Sequence, residues 1–276
     1  MNPTRTAATE NFPVGSRLLP RELRPAVAAF YAFARAADEI ADDPLLTPEV
    51  KLEMLDALDR ALTGDASDHS HAAVARAAEL RAVCVARGLS LDNPRHLLIA
   101  FRADAVNRPC RTWSDLLAYC RYSAAPVGRF LLELHGEEPT AYPAADALCA
   151  ALQILNHIQD CQEDYRALQR VYVPRQWLEE HGMTARSLLA LRETPDLRTI
   201  VNRMLDGVDR LNDAAAPLPS LIGRRGLRME AAAILAISSR LAAKLRRRDP
   251  FAGRVALSDF ERLGAMAGGV VRGWTR

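Results

Sequence analysis

Apolar residues recur along most of the chain with the period of an α-helix, in segments rich in alanine, leucine and arginine. These residue types favour helix, and glycine and proline are sparse inside the segments. An alternation typical of a strand is limited to the short run at 170–173. The pattern predicts helices over roughly residues 20–43, 47–63, 70–87, 92–106, 112–135, 142–167, 196–214, 227–247 and 258–272.

Capping residues, glycine and proline mark the boundaries of these helices. Thr47 is a candidate N-cap because Pro48 follows it at the first helical position. Gly64 and Gly88 mark helix ends. The chain shows no internal repeat and no low-complexity linker. We therefore expect one all-α domain over residues 1–276, in which residues 1–10 form a flexible N-terminus.

The first predicted helix ends in an acidic stripe. Asp38 and Asp42 lie one turn apart on the same helix face, and Arg35 falls close to that face. The apolar residues, among them Phe33, occupy another face. A solvated helix end before Pro44 would show the same pattern, so this stripe alone does not establish a site.

The helix predicted at 142–167 carries a second polar stripe, on a surface that is otherwise apolar. The stripe consists of Gln153, Asn156, His157, Asp160 and Asp164. A helix that is apolar around most of its circumference is central and buried, and buried carboxylates are costly unless they are paired or bound to metal. We therefore expect the stripe to line a polar feature inside the protein. His157 either joins that feature or is a hydrogen-bonded core histidine.

Two acidic stripes that face each other would repel unless a cation lies between them. Carboxylate oxygens suit Mg²⁺, which bridges protein carboxylates to substrate phosphates, whereas the Cys and His residues lack zinc spacing. The pattern therefore predicts a magnesium site that binds a diphosphate. The alternative is an internal network of salt bridges with nearby arginines.

The segment 119–128 interrupts an otherwise helical pattern with small residues, Pro126 and Gly128. Proline inside a helix removes a hydrogen bond and kinks the chain. A kink lined by small side chains would let a long ligand lie against the backbone. Ordinary close packing of two helices would require the same residues.

Composition excludes several other classes of protein. The 36 Lys+Arg and 34 Asp+Glu give a formal net charge of +2, too small a basic excess for a general nucleic-acid binder. The five cysteines form no CxxC pair and indicate free thiols in a reducing compartment. We find neither an apolar signal segment nor a run long enough to span a membrane. We expect a cytoplasmic protein or one that lies on the inner face of the membrane.

A basic cluster near the C-terminus bears on membrane contact. Lys244, Arg246, Arg247 and Arg248 would attract anionic headgroups, at about 1 kcal/mol per residue near the surface. Cations also stabilise the C-terminal end of a solvated helix, which explains the cluster without a membrane.

The two aspartate motifs and their neighbours resemble the squalene/phytoene synthase family, the head-to-head prenyl synthases. The matching segments are 18–20, 31–35, 38–42, 119–120, 127–128, 156–164 and 170–174. Within the family, the segments 11–16 and 119–128 are most similar to bacterial hydroxysqualene synthases of hopanoid pathways. Gln159 departs from the family pattern because many relatives have an arginine there.

The resemblance implies a single isoprenoid-synthase helical bundle with a central apolar cavity and the aspartate motifs at its mouth. It implies that Mg²⁺ is held by Asp38, Asp42, Asn156, Asp160 and Asp164. It also implies that the diphosphate is bound by Arg35, Asn156 and Arg170, with Tyr119 and Tyr172 close to the reacting group. The substrate would be a prenyl diphosphate, and enzymes of the squalene pathway would be partners.

For the reaction, the resemblance implies Mg²⁺-dependent conversion of presqualene diphosphate to hydroxysqualene, with water quenching a carbocation. One alternative is condensation of two farnesyl or geranylgeranyl diphosphates to presqualene diphosphate, squalene or phytoene. The cation lost at Gln159 weighs against the full two-step condensation. An alternative of another class is a non-catalytic assembly subunit, which the presence of all four motif aspartates disfavours.

Overall fold

The structure is a computed structural model that describes residues 20–65, 71–258, 260–261, 264–265 and 267–268. The helices are α1 Arg24–Asp42, α2 Pro48–Thr63, α3 Ala72–Arg87, α4 Asp92–Ala105, α5 Trp113–Ser123, α6 Ala125–Leu134, α7 Tyr142–Leu168, α8 Arg175–Glu180, α9 Pro195–Ala215, α10 Leu218–Leu221 and α11 Arg225–Leu245. Short 3₁₀ turns occupy Pro139–Ala141 and Ala185–Leu189. The described part of the chain has no strand, which confirms the all-α prediction.

Several predictions fall outside the described residues. These are the flexible N-terminus at 1–10, the motif segment 11–16, residues 18–19 and most of the helix expected at 258–272. The short helices α8 and α10 were not predicted, since four to six residues are too few for a helical period to be recognised. The remaining predicted helices agree with the structure to within a few residues at each end.

Local chemistry explains where individual helices start and stop. Thr47 accepts a hydrogen bond from the backbone of Val50, as an N-cap should. Gly64 ends α2 with a φ of 91°, a left-handed conformation that costs glycine little. Thr112 and Asp115 form a reciprocal capping box at the start of α5.

The single helix predicted at 112–135 breaks into α5 and α6 at Ala124, whose φ of −126° and ψ of −45° leave the helical geometry. Pro126 lies in the first turn of α6, where its missing N–H is tolerated. The predicted kink is therefore confirmed, as a break between two helices. Gly128 lies so close to α7 that an added Cβ would stand 2.7 Å from the Cys149 sulfur. The described contacts thus agree with close helix packing.

The helices pack as two main groups around adjoining cores, and a smaller third core lies among α6, α7, α10 and α11. Helices α1 to α4 and α6 bury one core, which includes Phe33 and Phe130. Helices α5, α7, α9 and α11 bury another, which includes Ile154 and Met204. Helix α7 lies among α5, α6, α9 and α11 and buries most of its apolar surface, as predicted. Helix α4 packs on both α1 and α5 and so connects the two groups.

The carboxyl ends of α1 and α7 lie at the same end of the bundle, which we call the mouth end. The contact between Asp42 and Arg170 establishes this, because Asp42 is the last residue of α1 and Arg170 follows the end of α7. The segment after α11 also reaches the mouth end, since its Arg254 binds Asp160. Among the described residues, no helix combines the length and apolar character needed to cross a membrane. All five cysteines are free thiols, as predicted.

Candidate active site

The last turns of α1 present the first aspartate motif at the mouth end. Arg35 donates a hydrogen bond to Asp38 over 3.0 Å and another to Glu39 over 3.1 Å. The Asp38 side chain keeps 37% of its surface accessible, yet protein surrounds it on most sides. Burial, followed by the nearby charge of Asp42, raises the pKa of Asp38 to about 7. The motif therefore lines a recess in which negative charge is crowded.

Arg170 connects this motif to the end of α7. One guanidinium nitrogen binds the Asp42 carboxylate, and another donates to the carbonyl of Ala41 over 2.9 Å. The Arg170 side chain is only 8% exposed, and its Nε has no acceptor among the described residues. Burial lowers the pKa of Arg170, but the charges of Asp104 and other neighbours outweigh that effect and raise it. Arg170 is thus a fixed, buried cation with one unused donor.

Asp104, on α4, is a site residue that the sequence patterns did not reveal. Its buried carboxylate accepts a hydrogen bond of 2.8 Å from the Tyr119 hydroxyl and another of 2.8 Å from the Tyr172 hydroxyl. Burial raises the pKa of Asp104, although Arg170 counteracts it. Burial, with the charge of Asp104, also raises the pKa values of Tyr119 and Tyr172, which therefore keep their protons. The sequence contained one indication that Asp104 faces the interior, because Asp104 shares a helix face with the apolar Leu97, which is buried.

The second aspartate motif lies on the last turns of α7. Asp160 is buried and forms an ion pair of 3.1 Å with Arg254, a residue from the segment after α11. Asp164 lies 4.0 Å from the Nδ1 atom of His157. Asn156 lies half-buried one turn before Asp160 on the same stripe. Arg254 was not predicted, because the residues around it form no helical pattern that would direct it towards α7.

His157 belongs to the site as well as to the buried interior. Its ring stacks on Tyr172 at 3.8 Å between centroids, and its Nε2 lies 3.3 Å from the amide nitrogen of Gln153. The site is therefore continuous from α1 to α7. It runs, in order, through Asp42, Arg170, Asp104, Tyr172, His157 and Asp164.

All the predicted site residues lie at the mouth end. Their position alone does not decide whether the aspartates form ion pairs or bind a metal. Asp38, Asp42 and Asp160 each pair with an arginine, so the salt-bridge network that competes with the metal interpretation is present. Within the described ranges, no three His, Cys, Asp or Glu side chains converge closely enough to hold a metal ion. Metal binding at these aspartates would therefore require the arginines to exchange partners.

Comparison with known proteins decides which family has this arrangement. The family model for squalene/phytoene synthase matches residues 5–261. The chain belongs to the squalene/phytoene synthase family. The predicted resemblance is confirmed, and the chain is an enzyme of this type.

Relatives within the family are similar over nearly the whole chain. The hydroxysqualene synthase of Rhodopseudomonas palustris is 39% identical over 272 residues, which cover 97% of this chain and 91% of that protein. The hydroxysqualene synthase of Sinorhizobium fredii is 38% identical over 267 residues, which cover 95% of this chain and 90% of that protein. These similarities extend well beyond the aspartate motifs.

Solved structures agree with the fold. Squalene synthase HpnC from Alicyclobacillus acidocaldarius superposes with a TM-score of 0.72 at 33% identity, over 86% of this chain and 88% of that chain. A dehydrosqualene synthase in complex with ligand superposes with a TM-score of 0.80 over 96% of this chain and 92% of that chain. At 22% identity, the second likeness shows the fold alone. The predicted helical fold of isoprenoid synthases is thereby confirmed.

Proposed function

We propose that the chain converts presqualene diphosphate into hydroxysqualene and diphosphate, as a step of squalene and hopanoid biosynthesis. The observation that carries the proposal is similarity to hydroxysqualene synthases over 97% of the chain, with the motif aspartates brought to one end of the bundle. In this reaction the carbon–oxygen bond to diphosphate breaks with its electron pair. A water oxygen then bonds to the rearranged cation and loses one proton.

The oxygen donors of the site suit magnesium. Asp38, Asp42, Asp160, Asp164 and Asn156 would hold the ion. The elevated pKa of Asp38 supports this, because it reflects crowded negative charge that a divalent cation would relieve. When bound, Mg²⁺ would supply Lewis-acid stabilisation of the departing diphosphate. The arginine partners of the aspartates would then be available to the same anion.

The arginines supply positive charge without a metal. Arg170 is buried, remains charged and has an unused Nε donor, all of which favour binding of a phosphate oxygen. Arg35 is only partly buried and pairs with a carboxylate that metal binding would engage. We propose that both bind the leaving diphosphate and so lower the barrier to breaking the carbon–oxygen bond.

The two tyrosines act close to the reacting group in this proposal. Because Asp104 accepts from both hydroxyls, Tyr119 and Tyr172 are held in fixed positions as protonated side chains. Their aromatic faces, together with the His157 ring stacked on Tyr172, would lie against the organic part of the substrate. The central apolar cavity predicted beneath them, which stays a prediction, would shield the cation from stray water.

Head-to-head condensation of two prenyl diphosphates is the second candidate, because the chain is also similar to phytoene synthases. The phytoene synthase of Mycobacterium tuberculosis is 38% identical over 186 residues, which cover 66% of this chain and 59% of that protein. Purified protein with Mg²⁺ should be incubated with presqualene diphosphate, and separately with farnesyl or geranylgeranyl diphosphate alone. Hydroxysqualene from the first incubation and no condensation product from the others would support the proposal. Unreacted presqualene diphosphate would refute it.

The substrate has a long hydrocarbon part and the product is strongly apolar, so we also propose that the protein works in the cytoplasm at the inner face of the membrane. Enzymes that supply presqualene diphosphate or consume hydroxysqualene would be its partners. A non-catalytic assembly subunit would share these locations but would not turn over substrate. Turnover by wild type that is lost in Asp160→Ala would exclude that alternative.

A further inference from the structure

An exposed leucine lies at the mouth end beside a turn rich in arginine. Leu191 is 82% exposed, far more than most apolar side chains of a folded protein. Its loop is fixed to α7, because the Gln162 side chain donates to the Ala190 carbonyl over 2.7 Å. Arg192 follows and is also exposed. Leu191 is therefore held in solvent beside the second aspartate motif.

The turn after α11 lies against this loop. The backbone of Glu193 donates to the Asp249 carboxylate over 3.1 Å. The Arg198 side chain donates to the carbonyls of Leu245 and Arg248 over 2.8 and 2.7 Å. Loop and turn thus form one surface, which we call the docking corner and define as Leu191, Arg192, Arg247 and Arg248.

Only part of the basic cluster seen in the sequence belongs to the docking corner. Lys244 pairs with Glu261 over 2.6 Å, and Arg246 pairs with Asp206 and Asp209. These two cations are engaged in ion pairs with the protein itself. Arg247 and Arg248 are instead exposed.

The acidic groups nearest the docking corner are neutralised or hydrogen-bonded. Glu193 pairs with Arg198, and the Asp249 carboxylate accepts backbone hydrogen bonds from Glu193, Phe251 and Ala252. The corner therefore presents an apolar side chain among three arginines. The other strongly exposed leucine of the mouth end, Leu45, instead lies close in sequence to Asp43.

We infer that the docking corner binds the surface of an anionic lipid bilayer, with Leu191 inserted among the acyl chains and the three arginines against headgroup phosphates. Apolar side chains flanked by cations favour such an interface. A groove of about 490 Å³ starts at Arg248 and reaches Arg254, the partner of Asp160. Docking would thus bring the active-site mouth to the membrane. The inference rests on the proposed function in one respect, since membrane contact would give the site access to a lipid-like substrate.

Vesicle flotation with the full chain tests the inference without turnover. Wild type should bind vesicles of phosphatidylcholine mixed with phosphatidylglycerol and bind pure phosphatidylcholine far more weakly. The triple variant Arg192→Gln/Arg247→Gln/Arg248→Gln should weaken binding about 100-fold, since each cation contributes about fivefold. Leu191→Gln should weaken it about tenfold.

Matched controls remove the same charge and the same apolar area elsewhere. Arg21→Gln/Arg60→Gln/Arg121→Gln changes three exposed arginines outside the docking corner. Val85→Gln changes an exposed apolar residue near the end of α3, which lies beside the start of α1 and so opposite the mouth end. Both should bind vesicles like wild type.

Three results would overturn the inference. The first is wild type that fails to bind the anionic vesicles or binds both compositions equally. The second is control variants that lose as much binding as the corner variants. The third is a wild type that sediments as a dimer and binds no vesicles, with corner variants that sediment as monomers. That result would assign the corner to a second copy of the chain. Vesicle binding by a protein that is inactive on presqualene diphosphate would refute the proposed function and leave this inference intact.

Discussion

Arg170 binds Asp42 although 128 residues separate them in sequence, and this pair joins the ends of the two helices that carry the aspartate motifs. Separate nitrogens of the same guanidinium reach the Asp42 carboxylate and the Ala41 carbonyl. The ammonium group of a lysine is a compact point charge and cannot reproduce this planar arrangement of two donors. The identity of this cation, beyond its charge, therefore matters to the geometry of the site.

Arg170→Lys should lower kcat by about 10- to 100-fold and destabilise the fold by about 1–3 kcal/mol, because one buried acceptor loses its partner. Steady-state kinetics and denaturant unfolding measure the two effects. Arg102→Lys is the matched control, since Arg102 forms partly buried pairs with Asp56 and Asp59 outside the site. Equal losses in both variants would contradict the special role of Arg170.

Asp160→Ala should abolish detectable turnover, a loss of at least about 100-fold, with the helical fold intact. The variant removes a proposed metal ligand and leaves Arg254 without its carboxylate. Circular dichroism and product analysis report fold and activity. Asp206→Ala, which removes an exposed partner of Arg246, should keep full activity. Wild-type activity in Asp160→Ala would contradict a catalytic role for Asp160.

The elevated pKa of Asp38 predicts how stability depends on pH. In the folded protein Asp38 holds its proton up to about pH 7, whereas its ordinary pKa is 3.8. The folded state therefore binds more protons than the unfolded chain between these values, so stability falls as pH rises through this window. Melting temperatures of chelator-treated protein should show this fall, and Asp38→Asn should reduce it.

Magnesium should act on the same carboxylate. Added Mg²⁺ should raise the melting temperature of wild type more at pH 8 than at pH 6, because the ion binds the deprotonated form. The gain should be smaller in Asp38→Asn. A melting temperature that depends on pH in the same way in wild type and Asp38→Asn would show that another group is responsible.

Asp104→Asn should lower kcat by about tenfold or more while leaving KM within a few-fold. The amide keeps the shape but offers one acceptor oxygen to two tyrosine hydroxyls, so one of Tyr119 and Tyr172 loses its fixed position. Removal of the charge also changes the surroundings of Arg170. Asp56→Asn, at an exposed pair, is the control. A change in KM alone would indicate that Asp104 acts only in binding.

The helices and the α7 stripe could be predicted because their signals are local. Asp160 and Asp164 stand out on a helix that is apolar elsewhere, and periodicity alone gives their common face. The break at Ala124 was only partly predictable, since a proline indicates a kink without giving its size.

The partners of the aspartates could not be predicted in this way. Arg254 reaches Asp160 from 94 residues away, and the residues around it have no periodicity that indicates its direction. Asp104 lies near the end of a helix, where a charged residue is ordinarily solvated. Its role depends on Tyr119 and Tyr172 arriving from two other segments, which is a property of the tertiary fold.

In the proposed reaction, water quenches the cation formed from presqualene diphosphate in this site. The most direct measurement is the reaction of presqualene diphosphate and Mg²⁺ with the purified protein in water enriched in ¹⁸O, with the product analysed by mass spectrometry. We expect hydroxysqualene that carries one ¹⁸O atom, together with released diphosphate. Recovery of unreacted presqualene diphosphate, or of a hydrocarbon product without oxygen, would contradict it.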